Sequence, residues 1–282
     1  MKGISMATSI RKIAPAVVVA TMAGMTLPAG AQTVGVNASV VNDVRMTTQA
    51  NPSIHKAVVK ERVSLGNDIL TGKSSVLQVL LLDRTSFTVG SNARIKVDRF
   101  VYDPSRTASA VGLSVTTGAF RFMSGKALHA NPGQSVIQTP VASIGIRGTV
   151  VEGVVGVDAL RIVQREPGFA ANFSADPATA SLILLRGPGP RAVGEAPGAI
   201  DISVNGQTVP ITTPGYALFI PGPGQAPIGP FLLSAAGSAF FADLLRYHQP
   251  LSDDPSSPLV SNPLVDLFFT NSSGGQRVGK LQ

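Results

Sequence analysis

In the stretch TPVASIGIRGTVVEG, Thr139 to Gly153, a guanidinium, a sterically open glycyl carbonyl and a hydroxyl follow one another as Arg147, Gly148 and Thr149. Three kinds of chemistry fit them. The five fixed donors of Arg147 suit a bridge between neighbouring strands, made to backbone carbonyls or to a carboxylate such as Asp68, Asp83 or Asp98. The same fork can grip an acidic ligand in bidentate fashion. Attack of the Thr149 hydroxyl on the Gly148 carbonyl would shift the acyl group from nitrogen to oxygen, giving an ester that hydrolyses. The strand bridge is the leading expectation. No second cation or aromatic wall is tied to Arg147 by spacing, and no histidine lies near Thr149 in sequence to act as base.

The remaining residues narrow the chemistry further. There is no cysteine, which removes disulfides, thiolate metal sites and cysteine nucleophiles together. His55, His129 and His248 are far apart and lack ligand spacing, so no metal is expected. Asp253-Asp254 sits in a proline-rich tail with nothing rigid to position it. The run GPGPRAVGEAPG leads into no strand-to-helix transition, so it is no phosphate cradle. No catalytic constellation and no cofactor are expected.

A signal peptide is expected over residues 1–31. Lys2, Arg11 and Lys12 precede the apolar run Ile13 to Leu27, and Ala29-Gly30-Ala31 places small residues at both positions a signal peptidase reads. Removing it leaves 20 basic and 16 acidic residues, a net charge of +4. The positive charges are scattered, so neither a nucleic-acid stripe nor a run attracting anionic lipid is indicated. No later apolar run is long enough for an integral membrane segment.

The elements that position Arg147 read as strands. ARIKVDRF alternates, with Ala93, Ile95 and Val97 on one face and Arg94, Lys96 and Asp98 on the other. SVLQVLLLD is nearly continuous apolar, as for a strand covered on both faces. VGLSVTTG, AFRFMSG and GQSVIQTP follow as separate strands, then LRIVQR, SLILLRG and YALFIPG. Asn205-Gly206 between two alternating runs predicts a two-residue hairpin. Arg165 to Ala180 and Gly187 to Gly198 read as excursions. In an unbroken strand, Ala142, Ile144, Ile146 and Val150 form a core face, and Gly148 opens a gap in it for a bulge or another backbone. Phe120 and Phe122 read as core, with a sugar-stacking platform as the lesser alternative, and Phe100 and Tyr102 carry the same two readings. The expected fold is all-β: one domain of many short strands over residues 34–225, sandwich or solenoid-like. A loosely ordered tail, 226–282, would follow. Its possible helix at 231–247 carries Leu233, Ala236, Phe240 and Leu244 on one side and is weakened by Gly237.

Several segments, in order, resemble the FecR domain family. They are Gly66, Asp68, Ile69, Thr71 and Gly72; then Asp83; then Gly118, Arg121, Phe122, Ser124, Gly125 and Lys126; then Thr139, Pro140, Arg147, Gly148 and Thr149. The match runs over residues 65–150 and departs where Asn67 separates Gly66 from Asp68 and where Arg84 replaces the glycine usual after Asp83. The resemblance implies the fold and a bacterial envelope location, periplasmic or secreted, for a stand-alone exported member. It implies Gly66, Asp68, Thr71, Gly72, Asp83, Gly118, Phe122, Gly125, Thr139, Pro140 and Gly148 as structural positions. Arg147, Thr149 and Arg121 are the candidate contacts for a ligand or partner.

The function expected is therefore a non-enzymatic binding or signalling module, with an envelope protein or a glycan as partner and no nucleic acid. A self-processing signalling protein cut at Gly148-Thr149, and a structural or adhesion component, are the alternatives.

Overall fold

A computed structural model describes residues 32–48, 51–103, 108–125, 133–169, 174–187 and 198–246. The expected signal peptide, Lys126, His129, His248, residues 188–197 of the excursion from Gly187 to Gly198, and the tail beyond 246 lie outside these residues.

The fold is organised by one strand, β9 (Ala108–Met123). The sequence reading split it at Gly118. The chain does not stop there but turns: Gly118 has φ +83°, and a Cβ would lie 2.3 Å from the Cα of Ala93, so only glycine fits. The turn hands one strand from one sheet to the other. Before it, β9 belongs to sheet B, ordered β3 (His55–Lys56), β2 (Val44–Met46), β5 (Asp68–Thr71), β8 (Arg94–Asp103), β9, β10 (Ser135–Gln138), β11 (Ser143–Arg147), β14 (Ala199–Val204) and β15 (Gln207–Ile211). After it, β9 belongs to sheet A, ordered β4 (Arg62–Ser64), β1 (Thr33–Val41), β6 (Val76–Leu81), β7 (Ser86–Val89), β9, β12 (Val150–Val155), β13 (Ser181–Gly187), β16 (Tyr216–Ile220) and β17 (Ile228–Leu232). Every pairing is antiparallel except β9 with β10. The two sheets face each other over one core, filled from both by residues such as Ile69, Ile95, Ile144 and Ile202 against Leu77, Phe87, Phe122 and Leu185. The all-β expectation holds, in sandwich form.

A second core lies on the outer side of sheet A. There α1 (Val157–Val163) and α2 (Ala235–Leu244) cover Ala119, Val154, Leu182, Leu184 and Phe219. The doubly covered strands are thus β12 and β13, whose side chains are almost all buried. SVLQVLLLD is not among them: Leu80 is 43% and Leu82 55% exposed, because the helices stop short of β6. LRIVQR is not a strand either. Most of it lies in α1 and the turn after it, where Ala159, Ile162 and Val163 present one apolar stripe to sheet A and packing outweighs the β-branched propensity.

Packed elements also continue past residue 225. Strand β17 pairs with β16, and α2 buries Phe241 completely. The buried side of α2 is Leu233, Gly237, Phe241 and Leu245, not the row through Ala236. Gly237 is the reason. The Glu166 carboxylate, which accepts from the Ser234 amide and hydroxyl at 2.8 Å each, sits where a Cβ would be. Ser234 in turn caps the helix by accepting from the Gly237 amide.

The hairpin at Asn205-Gly206 is as expected, with φ +49° and +80° joining β14 to β15. Residues of β8 alternate as read until a bulge between Val97 and Arg99 resets the phase and buries Phe100.

Candidate functional site

Arg147 does not lie in an unbroken strand. It ends β11 in sheet B, and β12 begins at Val150 in sheet A, so residues 147–149 form a corner between the sheets. Gly148 takes φ +58° there. Thr149 is buried; its hydroxyl donates to the Gly187 carbonyl at 3.0 Å and its amide to Ser124 Oγ at 3.2 Å. Its role in this geometry is to peg the corner. Ile144 and Ile146 fill the core as expected, whereas Val150 follows the corner into the other sheet.

The other motif residues fasten neighbouring turns. Thr71 Oγ1 donates to the Gly90 carbonyl at 2.5 Å and accepts from the Ala93 amide at 2.9 Å, closing the β7–β8 connection. Gly72 donates to the Asp43 carbonyl, and Gly66 makes its turn at φ +81°. Asn67, the interruption after Gly66, is buried and accepts from the Ser64 amide at 2.7 Å. Asp83 is saturated by the Thr85 amide and hydroxyl, 2.9 Å each, and by the Ser109 hydroxyl. Arg84 beside it adopts φ +66°, the conformation glycine would take without strain. Gly125 donates to Thr85 Oγ1 and packs against that turn. Thr139 closes the β10–β11 turn around the exposed Pro140 by accepting from the Ala142 amide at 3.0 Å. Phe120 and Phe122 are core.

The two motif arginines, Arg121 and Arg147, each meet a carboxylate, on opposite outer faces. On sheet A, Glu152 of β12 has a side chain only 1% exposed. It receives Arg121 of β9 at 2.6 Å on Oε1 and Arg186 of β13 at 2.7 Å on Oε2. Arg186 also reaches the Ser238 carbonyl of α2 at 3.5 Å. Arg121, a candidate ligand contact in the sequence, is therefore committed to an internal bridge.

On sheet B, Arg147 meets Asp201 of β14 at 3.0 Å, with side chains 41% and 37% exposed. The expected bridge between strands exists, but its acceptor is a half-exposed carboxylate and none of the three named. Asp68 lies 3.7 Å from Arg94, Asp83 is used as above, and Asp98 is exposed.

Strand register assembles the surface around Arg147. Lys96, Ser114, Gln138, Ser143, Ser203 and Thr208 lie in one row across β8, β9, β10, β11, β14 and β15. Within it Gln138 donates to Ser143 at 3.0 Å, and the hydroxyls of Ser203 and Thr208 are 2.9 Å apart. The next row is Arg99, Gly112, Val136, Gly145, Asp201 and Pro210. At Gly145 a Cβ would meet nothing nearer than 3.7 Å, so the floor is open there. The face is thus a hydroxyl- and amide-lined row beside a shallow glycine-floored strip, with Arg99 toward one end and the Arg147–Asp201 pair toward the other. Most of these residues were missed in the sequence. Each looks like an ordinary outward position, and only the register aligns them.

Residues 67–163 match the family model described as FecR protein. The chain carries a FecR domain. The matched segment runs from the turn before β5 to the end of α1, so it holds the strand exchange at Gly118, the corner at Gly148 and Glu152 with Arg121. It ends before Arg186 and Asp201, the partners that complete both arginine–carboxylate sites. The chain is also similar to two crystal structures of a candidate anti-sigma factor from Parabacteroides distasonis ATCC 8503. Each is 11% identical, with 57% of this chain and 57% of that chain covered and a TM-score of 0.35. No curated protein matches the chain.

Proposed function

We propose that this FecR-domain chain is an exported, non-enzymatic binding module with a regulatory or signalling role in the bacterial envelope, and that it engages an envelope protein or a glycan through the outer face of sheet B. The observation that carries the reading is how the motif groups are spent. Thr71, Asp83, Arg121 and Thr149 are each held by partners within the fold. What stays open is the row from Lys96 to Thr208 with Arg147 and Asp201 beside it. Its hydroxyls and amide offer donors and acceptors together, which suits a sugar chain or a polar protein surface. The family match and the signal-peptide pattern of residues 1–31 support the regulatory role and the export.

The test is a capture experiment on envelope extracts and solubilised glycans, with the full mature chain as bait. Wild type should retain a specific partner that Gln138→Ala with Ser203→Glu loses at unchanged melting temperature. Leu80→Ser, on the other sheet, should retain it. Equal capture by all three proteins would place the binding surface elsewhere.

A further inference from the structure

We infer that the segment Ile54 to Arg62 is a docking tip for an anionic lipid surface. This contact is separate from the face of sheet B, and its failure would leave the reading of that face untouched.

The segment breaks the usual burial rule in a concentrated way. Ile54 is 60%, Val58 58% and Val59 52% exposed, although sheet edges and cores lie close by. Isolated exposed apolar residues are ordinary; three within six residues are not. Cations are interleaved with them: Lys56, Lys60 and Arg62 are all exposed and, among the described residues, make no ion pair. Both nearby acids are already engaged. Asp43 holds Arg45 through two bonds of 3.0 Å, and Glu61 holds His55. The tip therefore presents apolar side chains within a net positive fringe. That is the pairing which favours burial of aliphatic groups at a headgroup boundary, with anionic headgroups around them.

The tip is also rigid at its backbone, as a surface meant to insert should be. The Val58 amide donates to Glu61 Oε2 at 3.0 Å, while its carbonyl accepts from Asn37 Nδ2 at 3.1 Å and from the Glu61 amide at 3.3 Å. Lys60 and Asn37 are joined by a further backbone bond of 2.8 Å, and Lys60 takes φ +68° to make the turn. Behind it, His55 sets Nε2 on Glu61 at 2.7 Å and Nδ1 on the Ser53 carbonyl at 3.1 Å. Ala57 is buried in the core and anchors the segment, while Ile54, Val58 and Val59 are left outside. Beside the tip lies an open basin of about 760 Å³ lined by Asn42, Asp43, Arg45, Ile54, His55 and Lys56. Arg45 neutralises Asp43 there, so a headgroup would sit against Ile54 and Lys56. In the sequence these cations formed no run, because valines separate them.

Co-sedimentation with vesicles tests the inference, using the mature chain with pure phosphatidylcholine and with phosphatidylcholine mixed with phosphatidylglycerol. Binding should occur to the mixed vesicles alone and weaken with salt. Val58→Asp with Val59→Asp should abolish it without moving the melting temperature. Lys56→Gln and Lys60→Gln should each weaken it by roughly fivefold. If the aspartate pair does not fold, the two glutamine variants decide. No binding to the mixed vesicles, equal binding to both vesicle types, or binding that survives the substitutions overturns the inference. Self-association abolished by the same substitutions, with no vesicle binding, would assign the tip to a second copy of the chain instead.

Discussion

The two outer faces of the sandwich each carry an arginine bound to a carboxylate, and the fold treats them oppositely. On sheet A, Glu152 lies between Arg121 and Arg186 under α2, removed from water. On sheet B, the Arg147 and Asp201 side chains are each near two-fifths exposed, with the Arg147 Nε turned away from water. The same chemical pair is a fastening in one place and a surface feature in the other. Burial decides which. A buried pair that loses a partner leaves an uncompensated charge, whereas an exposed pair is replaced by water at small cost.

The largest effect should come from breaking the buried site. Glu152→Ala leaves two guanidinium groups together beneath α2 and should cost about 3–5 kcal/mol. Denaturant unfolding monitored by circular dichroism measures it. An effect below about 1 kcal/mol would mean that water reaches the pair.

Next is the corner that joins the two faces. Thr149→Val keeps the shape but strands the buried Gly187 carbonyl, a loss of about 1–3 kcal/mol in a thermal melt. A gain is expected at the Asp83 turn. Arg84→Gly relieves a left-handed conformation that costs an ordinary residue about 1–2 kcal/mol, so the variant should melt higher, with part of the gain returned as glycine's backbone entropy. A lower melt would show that the Arg84 side chain makes a compensating contact.

The smallest effect is pH dependence at the β3–β4 segment. Both ring nitrogens of His55 face acceptors, so the ring binds best as the cation. The bond to Glu61 and then the Ser53 carbonyl raise its pKa above the ordinary 6.5. Glu61 is the acid in direct contact, with Lys56 next in sequence and the Arg45–Asp43 pair lining the same basin. A raised folded pKa means that the contribution is complete below about pH 6.5 and fades as pH rises through the folded value. Melting curves of wild type minus His55→Gln, taken across that range, should converge on the alkaline side.

Local features of the fold were legible in the sequence, whereas the contrast itself had a physical reason to be hidden. The alternation in ARIKVDRF and the Asn205-Gly206 turn are local signals, and both were realised. The family resemblance found the turns fastened by Thr71 and Asp83. Glu152 was not singled out, because Arg121 and Arg186 lie 31 and 34 residues away and meet it only through strand pairing. Asp201 was missed as the partner of Arg147 for the same reason, at a separation of 54 residues. LRIVQR read as a strand because β-branched content is local, whereas the apolar cover that sheet A requires is not. Gly237 read as a weakness in α2 because the Glu166 carboxylate that occupies its side-chain space comes from 68 positions away at the Ser234 cap.

The most direct test sets the two arginines against each other. Equilibrium unfolding of Arg186→Ala and Arg147→Ala, measured side by side, should show a loss of more than about 2 kcal/mol for the first, which strips Glu152 of one partner. The second should fall within about 1 kcal/mol of wild type. Equal losses, or a larger loss at Arg147, would contradict the account and make the Arg147–Asp201 bridge a fastening like the one at Glu152.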